Sequence, residues 1–166
     1  KRQVIDDSCN AETGEVVPGI GLLPVTTTFT LSKHRTRARG IICSQSGMWE
    51  MLGEKKCAGY EIHMGESTVS EGQAHAFAKI YNTVDGTEYM DGCVCGNVAG
   101  TYLHGIFDEK EFCDGFINML GKRCGIATHG GSDMSFEEYK QREYDKLADA
   151  IRENMDMKYI YEIMGL

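Results

Sequence analysis

The hydrophobic pattern of the chain changes character near residue 108. Before it, apolar positions come in short extended runs rich in β-branched and aromatic residues, broken by glycine, asparagine and aspartate; after it, they recur at helical spacing. Val4-Ile5 is a short apolar pair ahead of a polar loop that ends at Pro18-Gly19. "IGLLPVTTTFTL" predicts a strand over residues 20–31, and Pro24 within it points to an edge or a bulge. "RARGIICSQSG" and "CAGYEIHMG" predict two further strands, closed by Gly47 and Gly65. "AHAFAKIYNTVDGTEYMDG" reads as strand, turn at Asp85-Gly86 and short strand, and "GNVAGTYLHG" as one more strand.

Beyond that point, Asp108 with Glu111 has the layout of a capping box, opening a helix that ends near Gly125. Ser135 with Glu138 repeats the signature after the loop "THGGSDMS". The helix it opens carries Tyr144, Leu147, Ala148, Ile151 and Met155 on one stripe, and "MKYIYEIMGL" predicts a short terminal helix. Strands followed by helices predict an α/β fold in which the late helices cover one side of the sheet. The pattern looks like part of such a domain with helices missing from its front.

Composition narrows the function only coarsely. The 166 residues suit one domain, and a formal net charge of -8 argues against nucleic acid as a partner. No apolar run reaches the length needed to span a bilayer, and no signal-peptide pattern opens the chain, so no membrane partner is expected. The seven cysteines form no paired CxxC units, which suggests reduced, mostly buried thiols in a cytoplasmic protein and no metal site. "KRQVIDD" begins without methionine, consistent with a processed terminus, a tag remnant or the interior of a longer protein.

The chemistry rests on histidines. His34 sits in "KHRTRARG" among Lys33, Arg35, Arg37 and Arg39, which reads as a solvated loop or strand edge or else an anion-binding surface. His75 and His129 read as structural or exposed. His63 and His104 each close an extended apolar segment just before a glycine, "YEIHMG" and "YLHG". Each could be a packed histidine or a base held rigidly at a strand end. A base needs a nucleophile, and the chain has no G-x-S-x-G or G-x-C-G-G elbow; Cys93 and Cys95 in "DGCVCGN" lack the sharp strand-to-helix turn that exposes one.

"GIGLLPVTTTF", "GYEIHMG", "GTYLHGIFD" and the tail "YDKLADAIRENMDM", in this order, resemble the glutamine amidotransferase domain of the cobyric acid synthase family over nearly the whole chain. The resemblance implies a class I glutamine amidotransferase-like (flavodoxin-like) fold. Residues 1–166 would be the C-terminal portion of one such domain, beginning just after the nucleophile elbow, with the N-terminal strands and a P-loop synthetase domain outside the chain. Enzymes of this family amidate corrin-ring carboxylates with ATP and glutamine; the amidotransferase domain releases ammonia from glutamine.

His104 matches the general base that activates a cysteine thiolate, and Gly105 leaves room beside it; His63 and Gly65 match the segment lining the glutamine pocket. No cofactor is implied for this chain, since ATP and Mg belong to the synthetase domain, which also contacts the corrinoid. Ordinary triad amidotransferases carry glutamate two residues after the histidine; Ile106 stands there here, as in the corrinoid branch. The isolated chain is then expected to be inactive and to expose a sheet edge through which two copies could pair. The rival readings are cobyrinic acid a,c-diamide synthase, a subunit amidating a cell-wall precursor, and a non-catalytic binding module.

Overall fold

The computed structural model describes residues 3–43, 47–70, 72, 74–128 and 133–166. His129 lies outside them. The chain forms two compact units, residues 1–131 and 132–166.

The first unit is a mixed sheet with one helix against it. β1 (Val4–Asp6) and β2 (Val16–Pro18) make a hairpin, and β1 runs parallel to the start of β3 (Val25–Ile42). The far end of β3 pairs with β5 (Ala78–Asn82), which pairs with β6 (Glu88–Asp91). β4 (Lys56–Val69) lies antiparallel along β3. β7 (Cys93–Cys95) and β8 (Val98–Gly100) form a small separate ribbon. Among the described residues only the β1–β3 pairing is parallel, and the other pairings of this mixed sheet are antiparallel.

β3 joins two segments that the pattern separated. Pro24 stands just ahead of it rather than inside, and the irregularity falls at 29–34, where Phe29 pairs with Gly65 but His34 pairs with His63. Five steps on β3 thus match two on β4, a bulge of three extra residues. Beyond it strict alternation returns. Thr36, Ala38 and Ile42 are buried while Arg35, Arg37 and Arg39 are exposed. The basic cluster is therefore the outer face of a strand interior, not a loop or edge.

The inner face packs Ile42, Cys57, Ala78, Ile80 and Leu103 against a 3₁₀ turn (Gly47–Leu52) and α1 (Lys110–Cys124), which contributes Phe112 and Met119. Trp49 meets Phe77 edge to face at 6.2 Å and donates its indole N–H to the Gly96 carbonyl at 2.8 Å. A buried indole without that acceptor would leave a polar atom stranded.

Two local expectations fail. The segment after Gly100 is not strand; only His104 returns, as a single antiparallel bridge to Tyr60. Asp108 does not cap α1 either. It belongs to a 3₁₀ turn (Ile106–Asp108), and the helix starts after Glu109 with no side-chain cap. All seven cysteines are free, but only Cys57 and Cys93 are buried; Cys9 and Cys124 are exposed.

In the second unit the Ser135–Glu138 capping box is present in full and opens α2 (Phe136–Asn154). α3 (Met157–Met164) is capped by Asp156, whose carboxylate accepts the Tyr159 N–H. Among the described residues no helix is long and apolar enough to cross a membrane.

Candidate functional site

Main-chain hydrogen bonds fix His104. The Tyr60 N–H donates to the His104 carbonyl at 3.1 Å, and the His104 N–H to the Tyr60 carbonyl at 2.8 Å. The two rings stack 5.0 Å apart at 7°. The imidazole is exposed and has no hydrogen-bond partner among the described residues. Gly59 makes this approach possible, since a Cβ there would lie 2.1 Å from the His104 carbonyl oxygen. Gly105 adopts φ 76°, the left-handed conformation that glycine reaches without strain, and turns the chain into Ile106–Asp108. Ile106 points into the core, so the position two residues past the histidine supplies no polar group to the ring.

Upstream of His104, Asp91 ties the segment to β6. Its carboxylate accepts the Thr101 hydroxyl and, at 3.3 Å, the Tyr102 N–H. Burial pushes the Asp91 carboxyl up, while these hydrogen bonds hold it down.

His63 and Gly65 sit elsewhere. Side chains alternate along β4, so Tyr60 and His63 point to opposite faces. His63 Nδ1 meets the Gly65 carbonyl at 2.8 Å, and its ring stacks on Tyr102 at 4.0 Å. A Cβ at Gly65 would press on Thr27 at 2.7 Å. Both residues line a cavity of about 920 Å³ whose wall also includes His34, Glu61 and Tyr102; His104 is not part of that wall.

No sequence pattern marks Glu61, a carboxylate with 1% of its side chain exposed. The Tyr89 hydroxyl donates to its Oε2 at 2.8 Å, and burial together with that acceptor raises the Tyr89 phenol. His34 Nε2 and His63 Nε2 stand 3.2 and 3.4 Å from the same oxygen. Only the strand register, which sets His34 across from His63, brings this group together.

Among the described residues no cysteine thiol is hydrogen-bonded to His104. Burial drives Cys57 up to about 12 and also raises Cys93 and Cys43, which disfavours the reactive thiolate.

A mixed sheet followed by C-terminal helices, with a histidine held at the sheet margin, defines an α/β domain of the class I glutamine amidotransferase type. Residues 2–112 match the CobB/CobQ-like glutamine amidotransferase domain, and the chain belongs to that family. It is 39% identical to a cobyric acid synthase of Lachnoclostridium phytofermentans over 96% of this chain and 33% of that protein. Cobyric acid synthases of Alkaliphilus metalliredigens and Clostridium acetobutylicum are 41% and 38% identical over 89% and 99% of this chain, and 30% and 31% of those proteins. The chain thus spans about a third of the length of the curated relatives it matches.

Proposed function

We propose that this chain is the glutamine amidotransferase portion of a cobyric acid synthase, in which ammonia from glutamine amidates corrin-ring carboxylates. Its likeness to synthases of that name at 34–41% identity supports the reading. The observation that carries it is the exposed His104 imidazole, clamped through its own backbone to Tyr60 and free of competing hydrogen bonds among the described residues.

His104 acts as the base. It takes the proton of a cysteine thiol supplied from outside these 166 residues, and the thiolate attacks the glutamine side-chain amide. The imidazolium then protonates the departing ammonia, and water releases glutamate from the thioester. Tyr60 takes the place of a carboxylate in orienting the ring, by stacking rather than by hydrogen bonding. His63 and Gly65 line a cavity whose wall does not include His104, so the reaction at His104 is assigned without them. Corrinoid and ATP are handled by a separate synthetase domain, and function is cytoplasmic.

The test is His104→Ala in the full-length protein. Glutamine-dependent amidation should fall roughly 10²- to 10⁴-fold, the usual worth of a general base, while amidation driven by added ammonium salt persists. Retained glutaminase activity would sink the assignment. Failure to amidate the corrinoid with either nitrogen source, in the wild type, would point to one of the related amidotransferases.

A further inference from the structure

We propose that His34, Glu61 and His63 form a binding site for a divalent transition-metal ion of zinc-like preference. The three donor atoms all lie within 4.8 Å of one another. Glu61 Oε2 is 3.2 Å from His34 Nε2 and 3.4 Å from His63 Nε2. In a tetrahedral site with bonds of about 2.0–2.1 Å, neighbouring donors stand roughly 3.3 Å apart, which is the spacing of the two carboxylate–imidazole pairs.

The hydrogen bonding is incomplete in the way such a site requires. A carbonyl oxygen only accepts, so the Gly65 carbonyl at 2.8 Å places a proton on His63 Nδ1. With Nδ1 so occupied, it is His63 Nε2 that faces the Glu61 carboxylate oxygen at 3.4 Å, a gap that a proton or a metal cation can fill. Among the described residues, His34 Nε2 is buried without a hydrogen-bond partner; it is close to Glu61 Oε2 but not aligned with it. Glu61 Oε1 is likewise buried and unpartnered, on a side chain only 1% exposed. A buried carboxylate with one orphaned oxygen is costly unless a cation joins it.

The supporting shell is in place. Gly65 orients His63, and Tyr89 holds Glu61 by a hydrogen bond of 2.8 Å. Two imidazoles and one carboxylate suit zinc and its neighbours rather than calcium or magnesium. Three protein donors leave a fourth position, and the cavity of about 920 Å³ that they line gives the ion a way in. The site holds whether or not His104 is the base.

The experiment is titration of the chelator-treated full chain with zinc chloride by calorimetry, and with cobalt(II) followed by visible absorption. One equivalent should bind with micromolar affinity or better, and cobalt should give the intense bands of a four-coordinate site without thiolate charge transfer. His34→Ala and His63→Ala should each weaken binding at least tenfold, and His75→Ala, at an exposed histidine outside the group, should not. His34 is 40% exposed, so its variant should fold, which apo-protein melting verifies. No saturable binding, binding unchanged in both variants, or thiolate bands showing that the cysteines take the metal would each overturn the proposal.

Discussion

Tyr60 and His104 lie 44 positions apart, yet each donates a backbone hydrogen bond to the other and their rings stack at 7°. Main chain and side chain thus hold the imidazole from the same residue. Aromatic stacking is worth about 0.5–1.5 kcal/mol, or roughly two- to twelvefold in a rate that depends on ring orientation. In the full-length protein Tyr60→Ala should lower glutamine hydrolysis within that range and leave ammonium-driven amidation alone. Tyr60→Phe should keep most of the activity, because the hydroxyl takes no part. Equal losses in both variants would argue against stacking as the orienting contact.

Gly59 is the point at which the two segments touch. A Cβ there would sit 2.1 Å from the His104 carbonyl oxygen and 3.0 Å from Leu103. Backbone cannot yield as a flexible side chain can, so Gly59→Ala should force the bridge apart. Overpacking of this kind costs about 1–3 kcal/mol. Chemical denaturation should show a lower midpoint with an unchanged slope, and an unaltered midpoint would mean that the bridge relaxes freely.

The loop between β1 and β2 is organised by one carboxylate. Asp7 accepts backbone N–H groups from Ala11, Glu12, Thr13 and Gly14 at 2.7–2.9 Å. These bonds, that of Gly14 foremost, lower its carboxyl from 3.8 to about 2. A depressed acid stabilises the fold in its ionised form, so its contribution is complete above the unfolded value near 3.8 and fades as pH falls toward 2. Asp7→Asn should lower the melting temperature at pH 7 and narrow its gap to the wild type as pH drops through that window. A gap independent of pH would show that the charge is not what holds the loop.

Thiol chemistry should follow burial. A maleimide should label Cys9 and Cys124 quickly in the native protein, and Cys57 and Cys93 only after unfolding, as peptide mapping would reveal. Burial pushes Cys57 up to about 12, which deepens its inertness. Rapid native labelling of Cys57 would contradict the packing of β4 against the core.

What could be read from the sequence was local. The Ser135–Glu138 box closes within one turn, and it forms as the spacing foretells. Asp108 and Glu111 have the same spacing, but the left-handed Gly105 first winds residues 106–108 into a 3₁₀ turn, so the helix starts late. The strand pattern showed most of the sheet, although the two predicted strands of β3 run together and the basic cluster between them, read as a loop or edge, lies in the strand's interior. His34 beside Glu61 and His63 was beyond reach, because that meeting depends on a bulge in strand register. His104 stood out through its flanking residues, whereas its partner Tyr60 depends on tertiary contact alone.

The clamp on His104 consists of amide and carbonyl groups, which nearly every residue type possesses. Substitutions at Tyr60 or around His104 can therefore accumulate without displacing the backbone that carries the imidazole. Proline at either clamp position, any side chain at residue 59 and any residue but glycine at the left-handed position 105 are exceptions, the first removing a donor, the second blocking the approach and the third straining the turn. The position of the imidazole is thus written in the main chain, and its orientation in the stack with Tyr60.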